Sequence, residues 1–118
     1  FLLALKVVLA DRGSPPTLIF DEIDTGVGGA VADAIGQRLN RLSRGVQVLA
    51  VTHAPQVAAR AATHLLITKE MLSGGSRVAT RIFRLDAQAR REEIARMLSG
   101  ETITAEARAA AERLMAEV

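Results

Sequence analysis

Apolar positions along this chain follow two rhythms, and the change from one to the other marks the elements. The opening run Phe1-Leu2-Leu3-Ala4-Leu5-Lys6-Val7-Val8-Leu9-Ala10 predicts a buried helix over residues 1–11. Gly13-Ser14-Pro15-Pro16 ends it, because successive prolines neither continue a helix nor join a sheet centre. Thr17-Leu18-Ile19-Phe20 is a short continuous apolar run, the kind a parallel strand buried on both faces requires. From about Gly28 to Ser43 the spacing becomes helical: Val31, Ala34, Ile35, Leu39 and Leu42 form one stripe, and Asp33, Gln37, Arg38, Asn40 and Arg41 the polar side. Val46–Thr52 returns to a buried strand, so strand, helix and strand make a βαβ unit, for which a right-handed crossover is expected.

Beyond that unit, Pro55 suits the first turn of a short helix over residues 55–62. Leu65–Lys69 reads as a third strand, and Arg77–Leu85, with looser alternation, as a fourth in a partly exposed or antiparallel position. Asp86 is an expected N-cap for a helix from Ala87 to Leu98, with Ser99-Gly100 as its stop, and Thr104 caps a final helix over Ala105–Val118. The expected fold class is α/β: a mostly parallel sheet flanked by helices, with a hairpin and C-terminal helices.

Composition narrows the class. A chain of 118 residues fits one domain or a piece of a larger one. Hydrophobic residues make up 49% and aromatics 3%, so the core must be built from Ala, Val, Leu and Ile. Cysteine is absent, which excludes disulfides and thiolate metal sites. The apolar opening run is too short to span a bilayer, contains Lys6, and has neither an initiating Met nor a basic leader, so no membrane partner is expected. A start in mid-helix predicts that residues 1–118 are a piece of a longer protein. The net charge of +2 is too small by itself to imply nucleic-acid binding.

Leu18-Ile19-Phe20-Asp21-Glu22 carries the densest chemistry, an apolar strand ending in two carboxylates. A carboxylate fixed at the C-terminal edge of a buried parallel strand can hold Mg²⁺ with its water shell, at the edge where α/β sheets bind ligands. The next carboxylate points elsewhere and can orient a water for phosphoryl transfer. A strand end followed by a solvated acidic turn is the plain alternative. Thr52-His53 ends the neighbouring strand at the same edge, where an imidazole can donate to a phosphate oxygen.

The strings LIFDEIDTGVGG and VLAVTHAPQVAA, with RLDAQARREEIARMLSG further on, resemble the RecN family of bacterial DNA-repair proteins, SMC-like members of the ABC ATPase superfamily. The part resembled is the C-terminal half of the ATPase head, over most of residues 1–118. The resemblance implies roles residue by residue: Asp21 as the Walker B magnesium ligand, Glu22 as general base, and His53 as the switch histidine. Asp24, Thr52 and His53 would lie among the nucleotide-contacting residues. Asp24 to Gly29 would occupy the loop that crosses the dimer interface, although Val27 and Gly28 stand where the superfamily commonly has a leucine and an aspartate. ATP and Mg²⁺ are the implied cofactors. The implied partners are the N-terminal half of the same head, a second head on ATP binding, double-stranded DNA or its ends, and a recombinase. The implied setting is the bacterial cytoplasm at the nucleoid, in double-strand break repair and recombination. No loop ending in Gly-Lys-Ser or Gly-Lys-Thr occurs, so the chain alone is expected not to hydrolyse ATP.

Other readings remain open. Asp21-Glu22-Ile23-Asp24 also matches a helicase Asp-Glu-x-Asp box, but Val51-Thr52-His53 stands where such enzymes place a Ser-Ala-Thr motif. A metal site from Asp21, Asp24, His53 and His64 is weakened by His64 opening its strand. A non-catalytic DNA- or protein-binding module would use an arginine strip with Arg77, Arg81 and Arg84 as DNA-binding candidates, joined by Arg90, Arg91 and Arg96; a solvated face paired with Glu92 and Glu93 is the ordinary explanation. Leu72-Ser73-Gly74-Gly75 imitates an ABC signature, yet it follows Asp21 when a signature should precede it. Its paired glycines suit a tight hairpin turn instead.

Overall fold

Two separate β-ribbons organise the chain: helices pack on the first, and two further helices pack on each other. The structure is a computed structural model that describes residues 17–75 and 77–116. The expected helix over residues 1–11 and its Gly-Pro break lie outside these residues, as do the last two positions of the C-terminal helix. The order is β1 (Thr17–Asp21), α1 (Gly29–Leu42), β2 (Gln47–Val51), α2 (Pro55–Ala58), β3 (Leu65–Met71), β4 (Val78–Arg84), α3 (Ala87–Ser99) and α4 (Ala105–Ala116).

β1 and β2 pair in parallel, with Thr17 opposite Gln47 and Asp21 opposite Val51. Because side chains alternate along a strand, Leu18, Phe20 and Val48 turn to one face, where they meet Ala32, Leu39 and Leu42 of α1 and Val57 of α2. Phe20 is fully buried there, a burial that stabilises by roughly 1.5–3 kcal/mol. The opposite face is open: Ile19 is 64% exposed, Leu49 45% and Val51 46%. Burial of these strands on both faces is therefore not what the described residues provide, since their only helical layer lies on the Phe20 side.

α1 and α2 touch closely because Gly36 has no side chain. A Cβ there would lie 3.0 Å from the Gln56 carbonyl oxygen and 3.2 Å from Arg60 Cδ. Arg60 closes the contact, donating from Nε and Nη2 to Asp33 Oδ1 at 3.1 and 3.0 Å, while Asn40 Nδ2 donates to the Arg60 carbonyl at 3.0 Å. α2 covers four residues, shorter than the expected 55–62, and turns through Arg60 and Ala61 follow it.

The second ribbon is an antiparallel hairpin in which Leu65 pairs with Arg84 and Met71 with Val78. Gly74 and Gly75 take φ of 102° and 71°, as the paired glycines predict, and the Leu72 amide donates to the Arg77 carbonyl at 3.0 Å. Leu65, Ile67, Met71, Val78 and Ile82 share one face and are each more than half exposed. The single mostly parallel sheet expected from the sequence is thus corrected: among the described residues there is one two-stranded parallel sheet and one two-stranded antiparallel sheet. β2 and β3 do not bond, and a groove of about 490 Å³ between Val48, Ala50, Val57 and Leu65 separates them.

α3 and α4 form a helical hairpin. Asp86 Oδ1 accepts from the Ala89 amide at 2.8 Å, Gly100 with φ 81° stops α3, and Thr104 Oγ1 accepts from the Ala107 amide at 3.1 Å. Ile94, Ala95, Ala107 and Ala111 make a close-packed core with Ala59 from the α2 turn, and Leu114 and Met115 pack partly buried against it. Arg91 pairs with Glu112 at 2.8 Å and Arg108 with Glu92 at 3.0 Å across the two helices.

Candidate functional site

The parallel register of β1 and β2 decides where the chemistry gathers. With Asp21 opposite Val51, the residues that follow leave the sheet side by side at its C-terminal edge, and the Glu22 amide extends the pairing by donating to the Val51 carbonyl at 2.8 Å. Glu22 then adopts φ of 51°, a left-handed conformation that costs a residue with a Cβ roughly 1–2 kcal/mol. This turn separates the direction of Glu22 from that of Asp21. His53 Nε2 lies 2.7 Å from Glu22 Oε1, and both side chains face solvent, His53 at 87% exposure and Glu22 at 44%. The carboxylate and imidazole expected to share one ligand are thus in direct contact.

Asp24 behaves differently. It is only 8% exposed, and its Oδ2 accepts a hydrogen bond from Thr52 Oγ1. Thr52 Oγ1 in turn accepts from the Ala54 amide at 2.9 Å. Two turns shape the loop: the Thr25 amide donates to the Glu22 carbonyl at 3.2 Å and the Val27 amide to the Asp24 carbonyl at 3.3 Å, with Gly26 at φ 78°. The loop ends at Gly28, which precedes α1 without a side-chain cap.

Asp21 is exposed at the end of β1. No group of three or more His, Cys, Asp or Glu among the described residues converges as a metal cage. Asp21 offers one exposed carboxylate, and Mg²⁺ is commonly held by one or two carboxylates while phosphate oxygens and water complete its shell. His64 is not part of this edge. Its carbonyl accepts from the Leu85 amide at 3.0 Å, and its ring lies half-buried beside Arg90 and Glu93. Burial is the main reason its pKa falls below the ordinary value, the Arg90 charge adds to the fall, and Glu93 opposes it.

The arginines do not converge on one strip. Arg81 Nε donates to Glu70 at 2.8 Å and Arg96 Nε to Glu93 at 2.9 Å, while Arg91 is bound to Glu112. Arg81 and Arg84 lie on opposite faces of the hairpin by strand alternation, and Arg77 precedes β4. Arg90 turns inward: its Nη2 donates to the carbonyls of Ala58 at 2.9 Å, Ala59 at 3.0 Å and Ala61. This satisfies the carboxyl end of α2, which begins two residues after His53. Sequence reasoning missed this clamp, and Arg60 with it, because nothing local distinguishes Arg90 from Arg91 or Arg60 from Arg41. The signal for Arg60 lay in its partner, Asp33, set on the α1 turn next to Gly36.

No family model matches the chain. It is 50% identical over 116 residues to the DNA repair protein RecN of Xylella fastidiosa (strain Temecula1), an alignment covering 98% of this chain and 20% of that protein. It is 47% identical over 115 residues to RecN of Rickettsia felis, and 46% over 103 residues to RecN of Bacillus subtilis. The chain spans about one-fifth of the length of these relatives. Among solved structures, an SMC ATPase described for ATP-driven dimerization and DNA-stimulated activation matches with a TM-score of 0.63 at 18% identity, covering 86% of this chain and 58% of that one. The Smc head domain of Pyrococcus yayanosii, with coiled coil and joint, matches with a TM-score of 0.57 at 21% identity, covering 71% and 15%. At those identities the likeness shows the fold alone, and that fold is SMC-head-like.

Proposed function

We propose that this RecN-like chain, similar over 98% of its length to DNA repair proteins of that name, is the C-terminal lobe of an SMC-type ATPase head acting in DNA double-strand break repair and recombination. One observation carries the reading: Glu22 and His53, delivered by adjacent parallel strands to the same sheet edge, sit 2.7 Å apart at the edge where β1 ends in the exposed Asp21. Glu22 is the general base, taking a proton from the water that attacks the γ-phosphorus of ATP as the bond to the bridging oxygen of ADP breaks. His53 donates to a γ-phosphate oxygen and steadies the charge that gathers there. Asp21 would hold Mg²⁺, which would supply positive charge to offset that of the phosphates.

The lobe works only with the remaining length that its relatives carry. The open face of Ile19, Leu49 and Val51 supports a neighbour there, and we assign that place to the N-terminal half of the same head. The proposal includes head-to-head dimerisation on ATP binding and contact with DNA, which the likeness to an SMC ATPase described for both supports, and extends to DNA ends, a recombinase and a cytoplasmic, nucleoid-associated setting. Among the described residues no helix is long and apolar enough to cross a membrane. For Arg77, Arg81 and Arg84 the DNA-binding role is the weaker alternative, because Arg81 already has a carboxylate partner.

The test joins this chain to the upstream length of its relatives. Glu22→Gln should lower hydrolysis by about 10²-fold or more while ATP binding survives, as expected on removing a general base. Undiminished turnover in Glu22→Gln would remove Glu22 from that role.

A further inference from the structure

Asp24 and Thr52 were expected among the nucleotide contacts, yet the structure commits both groups inward. A carboxylate that is 8% exposed needs hydrogen-bond partners from the protein, and Thr52 supplies one. A threonine hydroxyl has one proton to give. Here that proton goes to Asp24 Oδ2, and Thr52 Oγ1 itself accepts from the Ala54 amide at 2.9 Å. His53 lies between Thr52 and Ala54, so both of its chain neighbours are tied through one oxygen atom, and that atom is tied to the loop that follows Glu22. The far side of the segment is fixed as well, since Arg90 binds the carbonyls of Ala58 and Ala59 and Arg60 is held by Asp33. Among the described residues the His53 ring meets Glu22, and it is 87% exposed.

We infer that Asp24 and Thr52 are a positioning pair that couples the loop Asp24–Gly28 to the His53 imidazole, so that a displacement of this loop is transmitted to the residue that meets the phosphate. The inference rests on the ATPase reading above. It assigns neither residue to the nucleotide. Because Asp24 is two residues from Glu22 and Thr52 is next to His53, loss of the link shifts the imidazole relative to the carboxylate without removing either.

The test uses the chain joined to the upstream length of its relatives, with ATP as the probe. Misplacement of a catalytic group by about 1 Å costs on the order of 10²-fold in rate, so Thr52→Val should lower kcat by roughly 10–100-fold while KM for ATP changes by less than about 3-fold. Thr52→Ser, which keeps the hydroxyl, should restore kcat to within about 3-fold of the parent. The double variant with Asp24→Asn and Thr52→Val should be no slower than Thr52→Val alone, since both break one link. The imidazole ¹⁵N signals of His53 should move in Asp24→Asn, which reports the link without turnover and stands even where Thr52→Val folds poorly. A rise in KM with kcat intact would make these residues nucleotide contacts and overturn the inference, as would penalties that multiply or His53 signals that stay put. Failure of the ATPase reading is separate: it appears as no hydrolysis by the parent joined protein, or as undiminished hydrolysis by Glu22→Gln.

Discussion

The Phe20 region and the Ile94 region each bury one large side chain completely, but they are built to different ends. Around Phe20, a sheet is covered by α1 and α2 on one face and left open on the other, and its C-terminal edge presents Asp21, Glu22 and His53. Around Ile94, two helices close on each other through alanines, with ion pairs along the seam and without the carboxylates and histidine of that edge. Equal burial therefore does not mean equal completeness. The open region carries the edge proposed as the site, whereas the closed one holds the carboxyl end of α2 from behind through Ala59 and Arg90.

The sharpest way to break this contrast is to empty each core. Phe20→Ala should destabilise by about 3–5 kcal/mol and Ile94→Ala by about 2–5 kcal/mol in chemical denaturation. In the joined protein, Phe20→Ala should also lower ATP turnover at temperatures where the variant remains folded. Ile94→Ala should spare it more, and equal loss of turnover in both would erase the distinction between the regions. Next in size is Gly36→Ala, expected to cost about 1–3 kcal/mol because the new methyl meets the Gln56 carbonyl at 3.0 Å. A neutral result would mean that α1 and α2 separate easily.

A smaller effect belongs to pH. The folded state holds His64 below the ordinary pKa of 6.5, mainly through burial. The unfolded chain therefore binds the proton first as pH falls, so the contribution is present above pH 6.5 and is lost on acidification toward the folded pKa. His64→Gln should flatten the loss of stability measured between neutral and mildly acidic pH, and an unchanged slope would assign it to other groups. The smallest effect is expected at the seam: a double-mutant cycle on Arg91 and Glu112 should give no more than about 1 kcal/mol, since Glu112 is 59% exposed. A larger coupling would make the seam, rather than the alanines, the source of the helical hairpin's stability.

Much of this was legible in the residues. The βαβ unit followed from the apolar runs around Phe20 and Val48 and the helical stripe between them, and both caps, Asp86 and Thr104, lay where their side chains predict. The hairpin was written in Gly74 and Gly75. What spacing does not encode is what lies across from a face: Ile19 reads the same whether its side is covered or open. Nor does it encode backbone torsion at Glu22 or the burial of Asp24, both set by turns whose bonds cross from one strand end to the next. The arginines illustrate the same limit, because charge counts cannot tell Arg90, folded onto three carbonyls, from its neighbours.

The two ribbons also differ in how soon they are able to form. Leu65 meets Arg84 across a single tight turn, whereas Thr17 must find Gln47 beyond an entire helix. Hairpins close in about 1–10 μs, and pairings between distant segments are slower because the loop must be ordered before any contact rewards it. On dilution from denaturant the hairpin is thus expected to precede the parallel pair, carrying the apolar stripe of Leu65, Ile67, Met71, Val78 and Ile82 into solution while the rest is still unfolded. Sticky early ribbons associate with one another, so refolding yield should fall steeply with chain concentration. Lysine at Ile82, on the outward stripe, should recover much of that yield.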